Sequence, residues 1–307
     1  MTVDVVVVTR NTAVLTDACV AAIARDSVTH RAIVVDNAST DGTSDLLRHR
    51  HPEVTVVVLD ANVGFGQAAN AGATIGSGEV IVLVNSDAVV EPGFLDGIIE
   101  PFHDQHVGMV AAVTLRAQSP EVVDSFGIAL DRTLAAYNRL DGLHLDSPAP
   151  RLAMPSGAAA AYRRRAFEAV GGFHPALFAY GEDVDLGLRL RNSGWTAAEA
   201  RNARALHVGA ATVGSGSRRQ RELGGFSRGF LLRRYGVLRS RAVLRALAVE
   251  ALVVSWGVLR HGTLVPLVAR WRGWHAVTDR QVIPSDTIDE KITMVDALRR
   301  IYATRVR

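Results

Sequence analysis

The sequence predicts an α/β fold: a mostly parallel sheet with crossover helices, followed by a C-terminal helical extension. Three observations predict it. Short, β-branched apolar runs alternate with segments of helical pattern through the first half, as strand–helix–strand units require. Pro92 stands where a helix would open, a position at which its missing N–H costs nothing. After about Gly216 the chain turns into Arg-studded helical segments. Residues 1–215 are therefore read as the α/β domain and 216–307 as the extension.

Val3–Thr9 is a continuous apolar run, as expected of a strand covered on both faces. Ala13–Arg25 is helical in pattern, Ala32–Asp36 is a second strand and Thr43–Arg50 a second helix. Val54–Asp60, Gln67–Ile75 and Glu79–Asn85 continue the alternation as strand, helix and strand. Val107–Leu115 and Val122–Leu130 read as further strands, with an irregular stretch to Pro155 that could hold a hairpin or a mobile loop. Gly157–Tyr162 is read as a strand, Arg164–Val170 and Glu182–Asn192 as helices, and Trp195–Glu199 as a last short strand.

At 307 residues the chain can bury a large core. The single cysteine, Cys19, excludes a disulfide framework or a cysteine-rich zinc site and is expected to act as a buried small hydrophobe. The opening residues lack a signal-peptide pattern, so a cytoplasmic location is expected. The net charge of +3 hides a split: residues 1–200 carry 14 Lys+Arg against 24 Asp+Glu, and residues 201–307 carry 20 against 7. Such asymmetry points the C-terminal part toward something anionic, unless the basic face is merely solvated. Ala242–Leu259 is apolar but interrupted by Arg245 and Glu250, too charged for a membrane span. With Trp256, Trp271 and Trp274 it reads either as a packed helical hairpin or as an interfacial helix at the inner face of a membrane.

Ligands of open parallel sheets bind beyond the carboxyl ends of the strands, where Arg10-Asn11, Asp36-Asn37 and Asn85-Ser86-Asp87 all fall. A strand-end carboxylate such as Asp36 can accept hydrogen bonds from a base or ribose, or can simply form a turn. Gly64-Phe-Gly66-x-x-Ala69 has dinucleotide-fold spacing but follows the third strand rather than the first. That argues against a classical NAD unit, while leaving its glycines able to approach a phosphate or sugar with Asn70 beside them. Asp87 can ligate Mg²⁺ or Mn²⁺, which take oxygen ligands and bridge diphosphates; neutral Asn85 is expected to orient ribose or Asp87. Glu182-Asp183-x-Asp185 supplies a general base and carboxylates to position it, with Asp183 in the first helical turn and Asp185 able to pair with Arg189 instead. His207, joined to Asp87, would favour Mn²⁺.

In order and spacing, the Val5–Thr9 strand, Val35–Gly42, Asn62–Asn70, Asn85-Ser86-Asp87, Ser156-Gly157-Ala158 and Glu182–Leu186 resemble glycosyltransferase family 2 enzymes of the GT-A fold, in particular rhamnosyl- and galactofuranosyltransferase-like members. The resemblance covers roughly residues 3–210. It implies that Thr9 and Asp36 contact the nucleotide base, and that Arg10, Asn11, Asn37, Gly64, Asn70, Asn85, Ser86 and Gly157 complete a nucleotide-sugar site. Asp87 and His207 would hold Mn²⁺ or Mg²⁺ under the donor diphosphate. Asp183 would be the catalytic base, with Glu182, Asp185 and Trp195 on the acceptor side. Asn85 departs from the usual aspartate, and Arg228-Gly229 stands where relatives often carry Arg-Asn.

The activity so implied is inverting transfer from a nucleotide-diphosphate sugar, such as dTDP-rhamnose or a UDP-sugar, in cell-wall or polysaccharide biosynthesis. The acceptor hydroxyl would belong to a glycan, a polyprenyl-linked sugar or a small molecule. Inversion follows from one base and no protein nucleophile. The alternatives are a catalytically inactive sugar-nucleotide-binding module and a nucleotidyltransferase, the latter lacking its N-terminal Gly-rich loop. Nucleic acid is not an expected partner; peripheral membrane contact through the C-terminal helices and homodimerisation are open.

Overall fold

The computed structural model describes residues 1–209, 217–293 and 296; the expected domain boundary at 215/216 lies outside them. Strands β1 (Val3–Thr9), β2 (His30–Asp36), β3 (Thr55–Val58) and β4 (Val80–Asn85) are parallel in the order β3-β2-β1-β4, joined by α1 (Ala13–Ile23), α2 (Thr43–Arg50) and α3 (Phe65–Ile75). The chain then adds β5 (Ala88–Val90), α4 (Phe94–Ile99), β6 (Val107–Arg116), β7 (Ser119–Ser125), β8 (Ile128–Leu130), β9 (Ala136–Asn138), β10 (Ala159–Arg163), α5 (Arg164–Ala169), α6 (Glu182–Asn192) and β11 (Thr196–His207). β10 inserts antiparallel between β4 and β6, β11 runs parallel to β6, and β5 closes the edge antiparallel to β11. The expectation of a mostly parallel α/β sheet with crossover helices is met.

The valine runs explain the layering. Alternate side chains of a strand face opposite sides. Val5, Val7, Val34, Val82 and Val84 pack on Cys19, Val20 and Ile23 of α1, while Val6, Ile33, Val35, Ile81 and Leu83 pack on Ala68, Ala69 and Ala73 of α3. Cys19 is fully buried, and burial pushes its thiol far above the usual range. Because the chain leaves β1 toward β2 yet places β4 on the other flank, the strand order switches between β1 and β4, opening a crevice at their carboxyl ends.

Where expectation and structure differ, the cause is local. Gly127, with φ +79°, breaks the expected Val122–Leu130 strand into β7 and β8, and β8 pairs with β9, which lies in the following stretch where a hairpin was one alternative. The short strand expected at Trp195–Glu199 is the start of the 12-residue β11; a register irregularity between Ala200 and Arg204 interrupts its alternation.

Among the described residues that follow are α7 (Arg218–Arg234), α8 (Val243–His261) and α9 (Val265–His275). α9 packs chiefly on α7 rather than pairing as a hairpin with α8. Glycine permits the approach: a Cβ at Gly229 would lie 2.0 Å from the Arg270 carbonyl oxygen, and one at Gly273 1.9 Å from that of Phe226. Leu231, Leu232, Tyr235 and Ala246 join the same core as Ile81 and Leu83. Among the described residues no helix is long and apolar enough to cross a membrane.

Candidate active site

Three loops meet at the crevice, and their side chains bind one another. The Thr9 hydroxyl lies 2.7 Å from that of Thr16 and 3.0 Å from that of Thr12, which reaches Ser86 at 3.1 Å. Asn11, at φ +52°, accepts from the Thr40 N–H at 2.7 Å, and its own N–H donates to Ser39 Oγ at 2.9 Å. Asp36, buried, accepts from the Ser39 N–H and the Ser44 hydroxyl. Asn37 accepts from the Val63 N–H at 2.9 Å and donates to Asn62 Oδ1 at 3.0 Å. Gly64, at φ +86°, is obligatory, since a Cβ would sit 2.3 Å from the Phe178 carbonyl oxygen. Arg10 alone here keeps a buried Nε without a hydrogen-bond partner.

Asn70 does not face the crevice as expected. Both ends of its amide are spent on the backbone of Phe173, each at 2.9 Å, which fastens α3 to the segment before α6.

Antiparallel pairing of β11 with β5 sets His207 opposite Ala88 and so beside Asp87. His207 Nε2 lies 3.2 Å from Asp87 Oδ1, and its Nδ1 2.8 Å from Asp124 Oδ2 on β7. Burial alone would lower the imidazole's affinity for a proton, but the bonds to Asp124 and Asp87 outweigh it and raise its pKa to about 9. One carboxylate and one imidazole, the latter oriented by Asp124, form a donor set suited to Mn²⁺. Among the described residues no group of three or more His, Cys, Asp or Glu side chains gathers as a metal site.

Gly181, at φ +90°, turns the chain into α6 and exposes its first turn. Glu182 is buried and its Oε2 lacks a hydrogen-bond partner. Burial first, and then the charge of Asp183, raise the Glu182 carboxyl well above the usual range. Burial also raises Asp183, against hydrogen bonds from the N–H groups of Val184 at 2.8 Å and Gly157 at 3.5 Å. The next residue after Gly157, Ala158, accepts the N–H of Asn85 at 3.0 Å. Two residues of backbone thus connect the Asp183 carboxylate to the Asn85-Ser86-Asp87 loop.

Asp185 and Trp195 are corrections. Asp185 is fully buried and bound by Arg189 at 2.8 Å, Arg234 at 3.3 Å and the Tyr235 hydroxyl at 3.0 Å; it fastens α7 to α6 and cannot meet an acceptor. Trp195 precedes β11 at the amino end of the β6–β11 pair, packed on Gly108 and under Arg165, at the opposite end of these strands from His207.

A cavity of about 790 Å³ opens at Glu182 and Asp183. One wall is the loop Leu134–Ala136, shaped by buried Asp131, which accepts from Thr133, Ala135 and Arg245 of α8. The opposite wall comes from α7, α8 and α9 through Arg228, Glu250, Trp256 and Arg270. Asp124 and Glu250 carry no local motif that marks them in the sequence, because strand pairing and helix packing bring them here, whereas Arg228 stands out only by the resemblance.

The family model described as "Glycosyltransferase like family 2" matches residues 2–224. The N-acetylglucosaminyl-diphospho-decaprenol L-rhamnosyltransferase of Mycobacterium tuberculosis is 28% identical over 213 residues, 59% of this chain and 67% of that protein. The O-antigen chain rhamnosyltransferase WbaN of Salmonella anatum is 25% identical over 181 residues, 57% of this chain and 55% of that protein. Among solved structures, the mannosyltransferase PcManGT from Pyrobaculum calidifontis, in complex with GDP-Man and Mn²⁺, superposes with a TM-score of 0.57 at 20% identity, covering 90% of this chain and 76% of that one. GalNAc-T7 with UDP, GalNAc and Mn²⁺ gives 0.60 at 15% identity, over 76% and 48%. These two likenesses speak for the fold.

Proposed function

From the chain's membership in glycosyltransferase-like family 2, we propose that it is an inverting, divalent-metal-dependent glycosyltransferase acting on a nucleotide-diphosphate sugar. The observation that carries this reading is the short backbone link between Asp183, on the cavity, and the Asn85-Ser86-Asp87 loop at the crevice. A base on one side and an anion-side charge cluster on the other suit a single displacement between two substrates. Asp183 accepts the proton of the acceptor hydroxyl as its oxygen attacks the anomeric carbon. The bond from that carbon to the diphosphate breaks as the new one forms, and the configuration inverts. Glu182, kept protonated by burial and by its neighbour, donates a hydrogen bond to a sugar hydroxyl.

Asp87 and His207 would hold the cation, with Asp124 orienting the ring. A bound Mn²⁺ or Mg²⁺ supplies counter-charge to a diphosphate leaving group. Arg10, Asn11, Asp36, Asn37 and Gly64 shape the nucleotide's crevice, largely through the backbone that their side chains arrange.

The donor we favour is dTDP-rhamnose, with a UDP-sugar the other nucleotide to try; the rhamnosyltransferase relatives support the sugar. The acceptor we favour is a lipid-linked sugar, in polysaccharide or cell-wall synthesis. Its support lies in α8, where Leu244, Leu247, Leu252 and Leu259 are exposed at helical spacing, two of them by 80% or more, with Trp271 exposed on α9. Beside the basic excess of residues 201–307, this face suits the inner surface of an anionic membrane. Co-sedimentation with phosphatidylglycerol vesicles should be lost in Leu244→Glu/Leu259→Glu; undiminished binding would remove the membrane contact.

A thermal-shift panel of UDP-, dTDP- and GDP-sugars, with and without Mn²⁺, tests the donor site on wild type and Asp87→Ala. Stabilisation by one nucleotide, dependent on metal and abolished in the variant, is the expected result. No shift with any nucleotide sugar would defeat the reading.

A further inference from the structure

We propose that the arginine-lined end of the cavity, where Arg228 and Arg270 are each held by Glu250, is a binding site for a phosphate or diphosphate ester carried by the acceptor. This rests on the cavity being the acceptor site. Arg228 on α7 donates its Nε–H to Glu250 Oε1 at 2.6 Å, and Arg270 on α9 donates its Nε–H to Oε2 at 2.6 Å. The three side chains are all largely buried, with exposures of 13% to 15%. One carboxylate therefore faces two guanidinium groups and leaves a surplus positive charge in a low-dielectric wall. Arg260 lines the same cavity and adds to it.

A clip that merely joined three helices would need only the two Nε bonds. Arg228 has more: its Nη1 donates to the Leu134 carbonyl at 2.9 Å, which fixes the plane of the fork, while its Nη2 is buried with no hydrogen-bond partner. A buried, orphaned guanidinium N–H on a residue that lines a cavity costs stability until an acceptor reaches it. An anionic oxygen is the acceptor that satisfies both the donor and the surplus charge.

The rest of the cavity specifies the ligand's other parts. Its acidic end, Glu182 and Asp183, takes a hydroxyl, while Val249, Val253 and Trp256 offer apolar surface to a chain. A ligand with a sugar hydroxyl, a phosphate ester and an apolar tail matches all three.

Isothermal titration of the chain with geranyl diphosphate, geraniol and dTDP tests the site without any transfer reaction. Wild type is expected to bind geranyl diphosphate at least tenfold more tightly than geraniol, and Arg228→Gln to lose that advantage with dTDP affinity unchanged. Glu250→Gln separates this role from a structural one: removing the anion should tighten geranyl diphosphate binding several-fold, whereas a mere clip predicts a lower melting temperature and no gain. Equal affinity for geranyl diphosphate and geraniol in wild type would overturn the proposal, as would a loss confined to dTDP in Arg228→Gln, which would assign the charge to the nucleotide. Should diphosphate binding be lost in Arg228→Gln while no nucleotide sugar is ever turned over, the anion site stands and the transferase reading falls.

Discussion

The crevice above β1, β2 and β4 and the cavity beneath α7–α9 are built on opposite plans. At the crevice, Thr9, Asn11, Asp36 and Asn37 spend their polar atoms on neighbouring loops. Arg10 Nε apart, saturation of this kind makes a rigid mould whose backbone, more than its side chains, meets a ligand. At the cavity, Glu182 Oε2 and Arg228 Nη2 are buried without hydrogen-bond partners. Unmet polar atoms are costly and persist where a ligand or a reaction uses them. On the proposed function, rigid placement on one side would hold a donor and unmet capacity on the other would recognise an acceptor.

The largest effect that would break this contrast lies at α6, where one helix carries both plans. Asp185→Ala strips Arg189, Arg234 and Tyr235 of their shared partner and should cost about 3–5 kcal/mol of folding stability, as breaking a buried ion pair does. Urea unfolding checks it; a loss below 1 kcal/mol would mean that Asp185 is not the fastener of the helical extension.

A smaller effect concerns His207. Its folded pKa, about 9, exceeds the unfolded value near 6.5, so its contribution is fully present below pH 6.5 and is lost as pH rises through 9. In EDTA, stability should therefore fall on the order of 3 kcal/mol across that window, a fall absent in His207→Gln. Because a cation must displace the same proton, Mn²⁺ should bind more tightly as pH rises toward 9. The smallest effect is that of Trp195→Leu, which should alter the KM for any acceptor less than twofold, since the ring lies at the far end of its strand.

The parallel half was legible because valine runs and loop motifs are local. Val3–Thr9 and the Asn85-Ser86-Asp87 loop each combine strand and turn chemistry within a few residues. The β11 strand was read too short because the irregularity near Ala200 erases its period, although His207 at its end was singled out. Asp185 and Trp195 were misplaced for a different reason. Proximity in sequence to Asp183 says nothing about direction, and α6 turns Asp185 away from the cavity within a single turn. The glycine at position 229, which stands where relatives often carry Asn, permits α7 and α9 to touch. The walls of the cavity were invisible since they depend on helices packing from distant segments.

The most direct test of the central claim is Mn²⁺-dependent sugar transfer by wild type and Asp183→Asn, with product anomer read by NMR and donor binding read by thermal shift. The base assignment predicts an inverted product, loss of about 10²–10⁴-fold in kcat in the variant and an unchanged thermal shift with donor. A retained anomer, or a variant as active as wild type, would contradict it.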